Sequence, residues 1–248
     1  MAAVVLPQIV YPIKLLNKDT AIFDAKNLEV HLIQQVNYNQ TEASTLVDEI
    51  TSLVREDNKS ALRTAARKAP HLVNVMLQSV DPSERLRFIQ IQAGEDNDLF
   101  GIALFHLETY RQILQSVSSD DERLQLLQMK DILDRTVLHY AAANSATEIV
   151  QVILESVSEE MRYTLLSMED CDKMTPIHIA CMQRNSEVLE MMMRLITVEM
   201  RYKLLQLPDQ YGLTPLHWSA LLGHTQCIRV IADSVSSQQL IHLLRITD

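Results

Sequence analysis

The chain has 248 residues, of which 47% are hydrophobic and 5% aromatic, with only 4 Gly and a formal net charge of −10. That apolar content excludes wholesale disorder, and the shortage of glycine and aromatics beside many Leu, Met and Ala favours helices over a turn-rich β sandwich. The acidic balance argues against wrapping nucleic acid, because phosphate binding needs a cationic footprint.

The N-terminal stretch from Met1 to Ile13 is apolar but lacks a basic leader and contains Pro7 and Pro12. It does not read as a secretory signal, and no run is long enough to span a bilayer. Asn27–Val36 and Glu42–Arg55 follow as predicted amphipathic helices. Leu28, Leu32 and Val36 form one stripe, and Leu46, Ile50 and Leu53 or Val54 the other. Residues 1–56 are expected to form a helical capping segment, because the first unit of a stacked array otherwise exposes its apolar flank. The triplets Asn39-Gln40-Thr41 and Asn58-Lys59-Ser60 match a glycosylation sequon at the level of chance.

From residue 57 the chain repeats itself. Thr136-Val-Leu-His-Tyr-Ala-Ala, Thr175-Pro-Ile-His-Ile-Ala-Cys and Thr214-Pro-Leu-His-Trp-Ser-Ala start at 39-residue intervals. Asp131, Asp170, Asp209 and Asp248 keep the same interval, as do Arg123, Arg162 and Arg201. Two worn copies, Ser60-Ala-Leu-Arg-Thr-Ala-Ala and Asp98-Leu-Phe-Gly-Ile-Ala, precede them at 38-residue steps. Five units are therefore expected, at 57–94, 95–130, 131–169, 170–208 and 209–248.

The Thr-Pro-Leu-His-x-Ala blocks preceded by Asp resemble the ankyrin repeat, in which a finger-like turn leads into two antiparallel helices. The resemblance implies that Thr214 caps a first helix whose first turn holds Pro215. It also implies that His139, His178 and His217 tie neighbouring fingers together. Ankyrin units are about 33 residues long, so each unit here carries about six more. The surplus falls in Ser158–Met168, Thr197–Leu207 and Ser236–Ile246. Met161, Leu165 and Met168, and likewise Met200, Leu204 and Leu207, share one helical face, which predicts a third short helix per unit. The glycine expected between the two main helices stands only at Gly223, so the turns near Ala146 and Ser186 are expected to be reshaped. The fold class is then an all-α, ankyrin-type helical solenoid with short finger turns and one inserted helix per repeat. Asp248 closes a period with no cap after it, which suggests a longer natural chain.

In such a stack the variable positions of the repeated block face the concave side. Polar residues belong there if the groove faces water. Instead Ile102, Tyr140, Ile179 and Trp218 form an apolar file flanked by Phe105, Met182 and Leu221. These seven are the candidate partner-binding residues, since aromatic and Met side chains dominate binding hot spots. The competing arrangement buries the file under the inserted helices or the N-terminal segment. An exposed file predicts that Ile179→Asp leaves the thermal midpoint unchanged. Arg85, Arg123, Arg162 and Arg201 are expected to pair with nearby acids such as Glu84, Glu122, Glu160 and Glu199, rather than to hold an anionic ligand. Asp131, Asp170 and Asp209 read as turn residues that bond backbone amides.

No HExxH, GxSxG or GxxxxGK[ST] occurs, and Cys171, Cys181 and Cys227 lack CxxC spacing. No catalytic residue, cofactor or metal is expected, and the thiols suit a reduced, cytoplasmic setting. The expected function is that of a non-enzymatic adaptor binding a protein or peptide, with no nucleic-acid or membrane partner. The alternative is a regulatory or targeting arm of a larger receptor, enzyme or channel.

Overall fold

The structure, a computed structural model, describes residues 13–17, 20–34, 37–56, 61–93 and 106–246. It divides into two compact units, one from residues 1–94 and 108–118 and the other from residues 95–107 and 119–248.

In the first unit an antiparallel hairpin of β1 (Ile13–Asn17) and β2 (Thr20–Phe23) precedes the helices. No residue pattern predicts it. Helices α1 (Ala25–Gln34) and α2 (Gln40–Glu56) follow where the periodicity places them. Asp24 caps α1, its Oδ1 accepting from the Asn27 amide at 3.1 Å. Asn39 and Glu42 cap α2 reciprocally, each side chain accepting from the other's backbone N–H at 2.9 and 3.2 Å. Leu28, Leu32, Ala43, Val47 and Ile50 are buried. Val36 and the side chains of Leu53 and Val54 lie outside what is described. Helices α3 (Ala61–Lys68), α4 (His71–Gln78) and α5 (Arg85–Ala93) come next. Helix α6 (Leu107–Ser116) belongs to this unit in all but its first residue. The worn block at α3 has lost its histidine. Gln92 from α5 accepts the Leu62 amide in the first turn of α3 at 3.1 Å.

The second unit begins with α7 (Asp120–Leu127) and continues as three successive helical triplets. They are α8 (Val137–Ala143), α9 (Thr147–Glu155) and α10 (Glu159–Leu166); α11 (Pro176–Met182), α12 (Ser186–Arg194) and α13 (Val198–Leu205); and α14 (Pro215–Leu221), α15 (Thr225–Ser234) and α16 (Ser237–Leu243). First helices pack on first helices and second on second, and α10 packs on α13. Thr136, Thr175 and Thr214 sit at N-cap positions in extended conformation, and Pro176 and Pro215 open their helices where an amide has no partner to lose. The third helices of the first two triplets bury adjacent leucine pairs, Leu165–Leu166 and Leu204–Leu205, beneath half-buried Met161, Met168, Met200 and Leu207, whereas the last triplet buries Leu243 alone and leaves Leu244 exposed. The three-residue face expected from the spacing is thus only partly interior.

The turns between first and second helices keep one shape. Ser145, Arg184 and Gly223, each 39 residues from the next, have φ of 56°, 63° and 69°. The expected reshaping does not occur: the left-handed turn is retained and two side chains bear its strain. Asn185 Nδ2 and His224 Nδ1, one residue later, donate to the carbonyls of Ala142 and Cys181 in the preceding repeat, at 2.5 and 2.8 Å.

The arginine file reaches backbone carbonyls, which corrects the expectation of acid partners for Arg162 and Arg201, while Arg123 has both kinds of partner. Arg162 Nε donates to Leu154 O at 2.6 Å and its Nη1 to Leu195 O of the next repeat at 2.9 Å. Arg201 reaches Met193 O and Ser234 O at 2.7 and 3.3 Å, Arg123 reaches Ser156 O at 3.0 Å, and Arg85 reaches Ser116 O at 3.3 Å. Only Arg123 adds a carboxylate among these contacts, Asp120 at 2.6 Å. Glu160 and Glu199 stand two residues before their arginines and Glu84 one, spacings that do not face each other on a helix. Each guanidinium therefore closes the C-terminal ends of second helices, where carbonyls lack intrahelical donors and the helix dipole favours a cation.

Arg184→Gly is expected to stabilise the fold by about 1 kcal/mol by removing left-handed strain, and Ser145→Gly by less, because it also removes the bond from Ser145 Oγ to Asn185 Oδ1. Gly223→Ala is expected to cost about 1 kcal/mol through the backbone alone, since an added methyl meets no atom within 4 Å. Urea midpoints of the three variants check the pattern. Arg162→Met, which keeps the aliphatic stem but orphans two carbonyls, is expected to cost about 2–4 kcal/mol, against less than about 0.5 kcal/mol for Glu160→Gln.

Candidate functional site

Each triplet of the second unit is entered through a finger turn headed by an aspartate. Asp131 Oδ1 accepts the amides of Leu133 and Arg135 at 2.9 and 2.8 Å, and Asp170 and Asp209 repeat the pattern with Asp172 and Met174, and with Tyr211 and Leu213. The aspartates are turn residues, as their spacing predicts. Asp134, Lys173 and Gly212 take the left-handed position that closes each turn. Successive fingers are joined through the backbone: Cys171 N donates to Leu133 O and Gln210 N to Asp172 O, both at 3.0 Å.

The repeat histidines fasten fingers to helices. His139 Nδ1 accepts the Thr136 amide at 3.0 Å, so its proton sits on Nε2, which donates to Met174 O of the next finger at 3.0 Å. His178 does the same between Thr175 N at 3.2 Å and Leu213 O at 3.2 Å, and His217 between Thr214 N and Ile246 O at 3.1 Å each. A second ring proton would turn Nδ1 into a donor facing a donor. Burial pushes the pKa of both His139 and His178 down to about 4, against the pull of their carbonyl partners.

The second carboxylate oxygen of each finger aspartate looks toward the first helix. Tyr140 Oη donates to Asp131 Oδ2 at 2.6 Å, and Trp218 Nε1 donates to Asp209 Oδ2 at 2.8 Å. Burial raises the Asp131 pKa, but the bonds from Tyr140 and from the Arg135 and Leu133 amides outweigh it and hold the carboxyl below its ordinary value. The middle repeat has Ile179 at this position and no donor. Asp170 Oδ2 is buried without a hydrogen bond, and the Arg135 guanidinium Nε approaches it at 3.6 Å from the preceding finger.

The candidate file is therefore not one uniform surface. Tyr140, Met182 and Trp218 are half-buried, Leu221 is 69% exposed, and Ile179 is only 5% exposed. Ile179→Asp would bury an unpaired carboxylate, so the expectation that it leaves stability unchanged does not hold. Ile102 and Phe105 lie outside the described residues. Further exposed large apolar side chains stand outside the file: Ile132 at 78%, Leu133 at 40% and Tyr211 at 67%, at the finger tips. They occupy the one or two positions after the repeated aspartate, a signal present in the period but not used.

The groove between α12 and α15 is lined by Glu190, Arg194, Arg229 and Asp233, opposite charges one turn apart on each helix. Among the described residues no group of three or more His, Cys, Asp or Glu could hold a metal, and no helix is long and apolar enough to cross a membrane. Cys181 and Cys227 are buried and Cys171 is exposed, all as free thiols.

Because the folded-state pKa of His139 and His178 lies below the unfolded value, their contribution to stability is complete above about pH 6.5 and is lost as pH falls toward 4. Urea unfolding between pH 6.5 and pH 4.5 is expected to show stability falling by up to about 1.4 kcal/mol per pH unit for each histidine. His178→Gln should remove one histidine's share of that slope.

A search of curated proteins returns no match. The family model for ankyrin repeats in three copies matches residues 103–203 and 159–240, together more than half of the chain. With the capped first helices, the aspartate fingers and the histidine ties, that match places this chain in the ankyrin-repeat family.

Proposed function

We propose that the chain is a non-enzymatic adaptor whose second unit grips a partner protein or peptide along its fingers and the exposed ends of its first helices. Ankyrin repeats are in general protein-interaction modules, and the family is typically non-enzymatic. One observation carries the reading for this chain. Ile132, Leu133, Tyr211, Leu221 and Leu222 hold between 40% and 78% of their surface in water, while the helices behind them bury comparable residues completely. Exposed apolar patches of this kind mark interaction sites. In this reading Tyr140, Met182 and Trp218 form the wall behind the tips, and Ile179 supports it from beneath. Residues 1–56 serve as the cap and 57–248 as the array. The partner is a macromolecule recognised by shape and apolar contact, with no cofactor.

The double variant Ile132→Ser/Tyr211→Ser removes two exposed anchors without touching a described hydrogen bond. Affinity capture from cell extract, read by mass spectrometry, is expected to lose its specific partner by about tenfold or more, as a loss of 1–2 kcal/mol per anchor requires. The melting temperature should stay within a degree or two. Equal capture by variant and wild type refutes the surface.

A further inference from the structure

From the chemistry of the three finger tips, we infer that the partner segment is an extended peptide with one central Arg or Lys flanked on both sides by large apolar residues. The inference rests on the interaction surface proposed above and names its ligand.

The tips run Ile132–Leu133, Cys171–Asp172 and Gln210–Tyr211. The outer two present apolar side chains at 78%, 40% and 67% exposure, and the middle one presents the exposed Cys171 thiol and the half-buried Asp172 carboxylate. Backbone bonds of 3.0 Å lock each tip to its neighbour, so their order is set before any ligand arrives. A rigid row loses little entropy on binding.

Charge around the row is unbalanced once paired groups are set aside. Lys130 is matched by Asp134 at 3.6 Å, and Arg135 by Asp170 at 3.6 Å. Asp131 and Asp209 give their second oxygens to neutral donors, Tyr140 and Trp218. Glu169 is exposed and Asp172 half-buried, with one Asp172 oxygen taken by Gln210 Nε2 at 2.7 Å. Four carboxylates then stand against one ammonium, Lys173, on a chain of net charge −10. The surplus favours a cation opposite Asp172 and repels acidic or phosphorylated segments.

Spacing follows from the stack. Packed helices lie about 8–10 Å apart and an extended chain advances about 3.3 Å per residue, so one repeat spans about three ligand residues. The apolar anchors should lie about three positions before and three after the cation.

The test is selection of phage-displayed random dodecapeptides on the immobilised full chain, with Ile132→Ser/Tyr211→Ser as counter-target. The best peptide is then synthesised and titrated against wild type and Asp172→Asn at low and high salt. The expected result is enrichment of the apolar–basic–apolar pattern, about tenfold weaker binding to Asp172→Asn, and weakening by salt. Asparagine keeps the Gln210 hydrogen bond, and melting curves check that the variants fold. Acidic or uncharged winners that still fail on the double variant overturn this inference while leaving the surface intact. Peptides held equally by wild type and double variant, or no enrichment at all, overturn the surface as well.

Discussion

The second unit depends on one constraint: the backbone carbonyls that face the next repeat must find donors that a neighbouring helix cannot supply. Helix C-termini leave carbonyls open, and finger turns leave more. Two side chains recurring at fixed places in the period meet the need. Histidine reaches from the first helix into the next finger, 35 residues on, at Met174 O and Leu213 O. Arginine reaches from the third helix to the end of the next second helix, at Ser156, Leu195 and Ser234 O. Apolar packing supplies most of the cohesion, but a buried carbonyl without a donor would forfeit about 1–3 kcal/mol at each joint.

Two chemistries set the family pattern here. The Thr-x-x-His block is a tautomer device: the threonine amide occupies Nδ1, which leaves Nε2 as the donor. The arginine gains from the helix dipole as well as from its fork of donors. The finger aspartate divides its oxygens between turn amides and an aromatic donor, so the aromatic at that position does structural duty. Where Ile179 replaces it, Arg135 covers the leftover charge at the cost of a longer contact.

The architecture was legible because it is periodic. Capping threonines, prolines and aspartates announce themselves by residue type and position, and the helices of the N-terminal segment by their stripes. What was not legible depends on neighbours in space. The partner of Arg162 is a carbonyl 33 residues away, and no local pattern names a carbonyl. Ser145 and Arg184 hide their left-handed turn because glycine, its usual mark, is missing. Ile179 reads as a surface residue by register yet is buried, since a repeat alignment carries direction but not depth. The hairpin from Ile13 to Phe23 has strand-compatible residues with no turn motif to flag it.

The joints made by His139, His178, the arginines, Asn185 and His224 share one trait: each ends on a main-chain oxygen. A side chain on the receiving repeat can change without removing the acceptor, because every residue carries one. Adjacent repeats therefore need not co-vary to stay attached, and a recognition surface can be rewritten residue by residue while the seams hold.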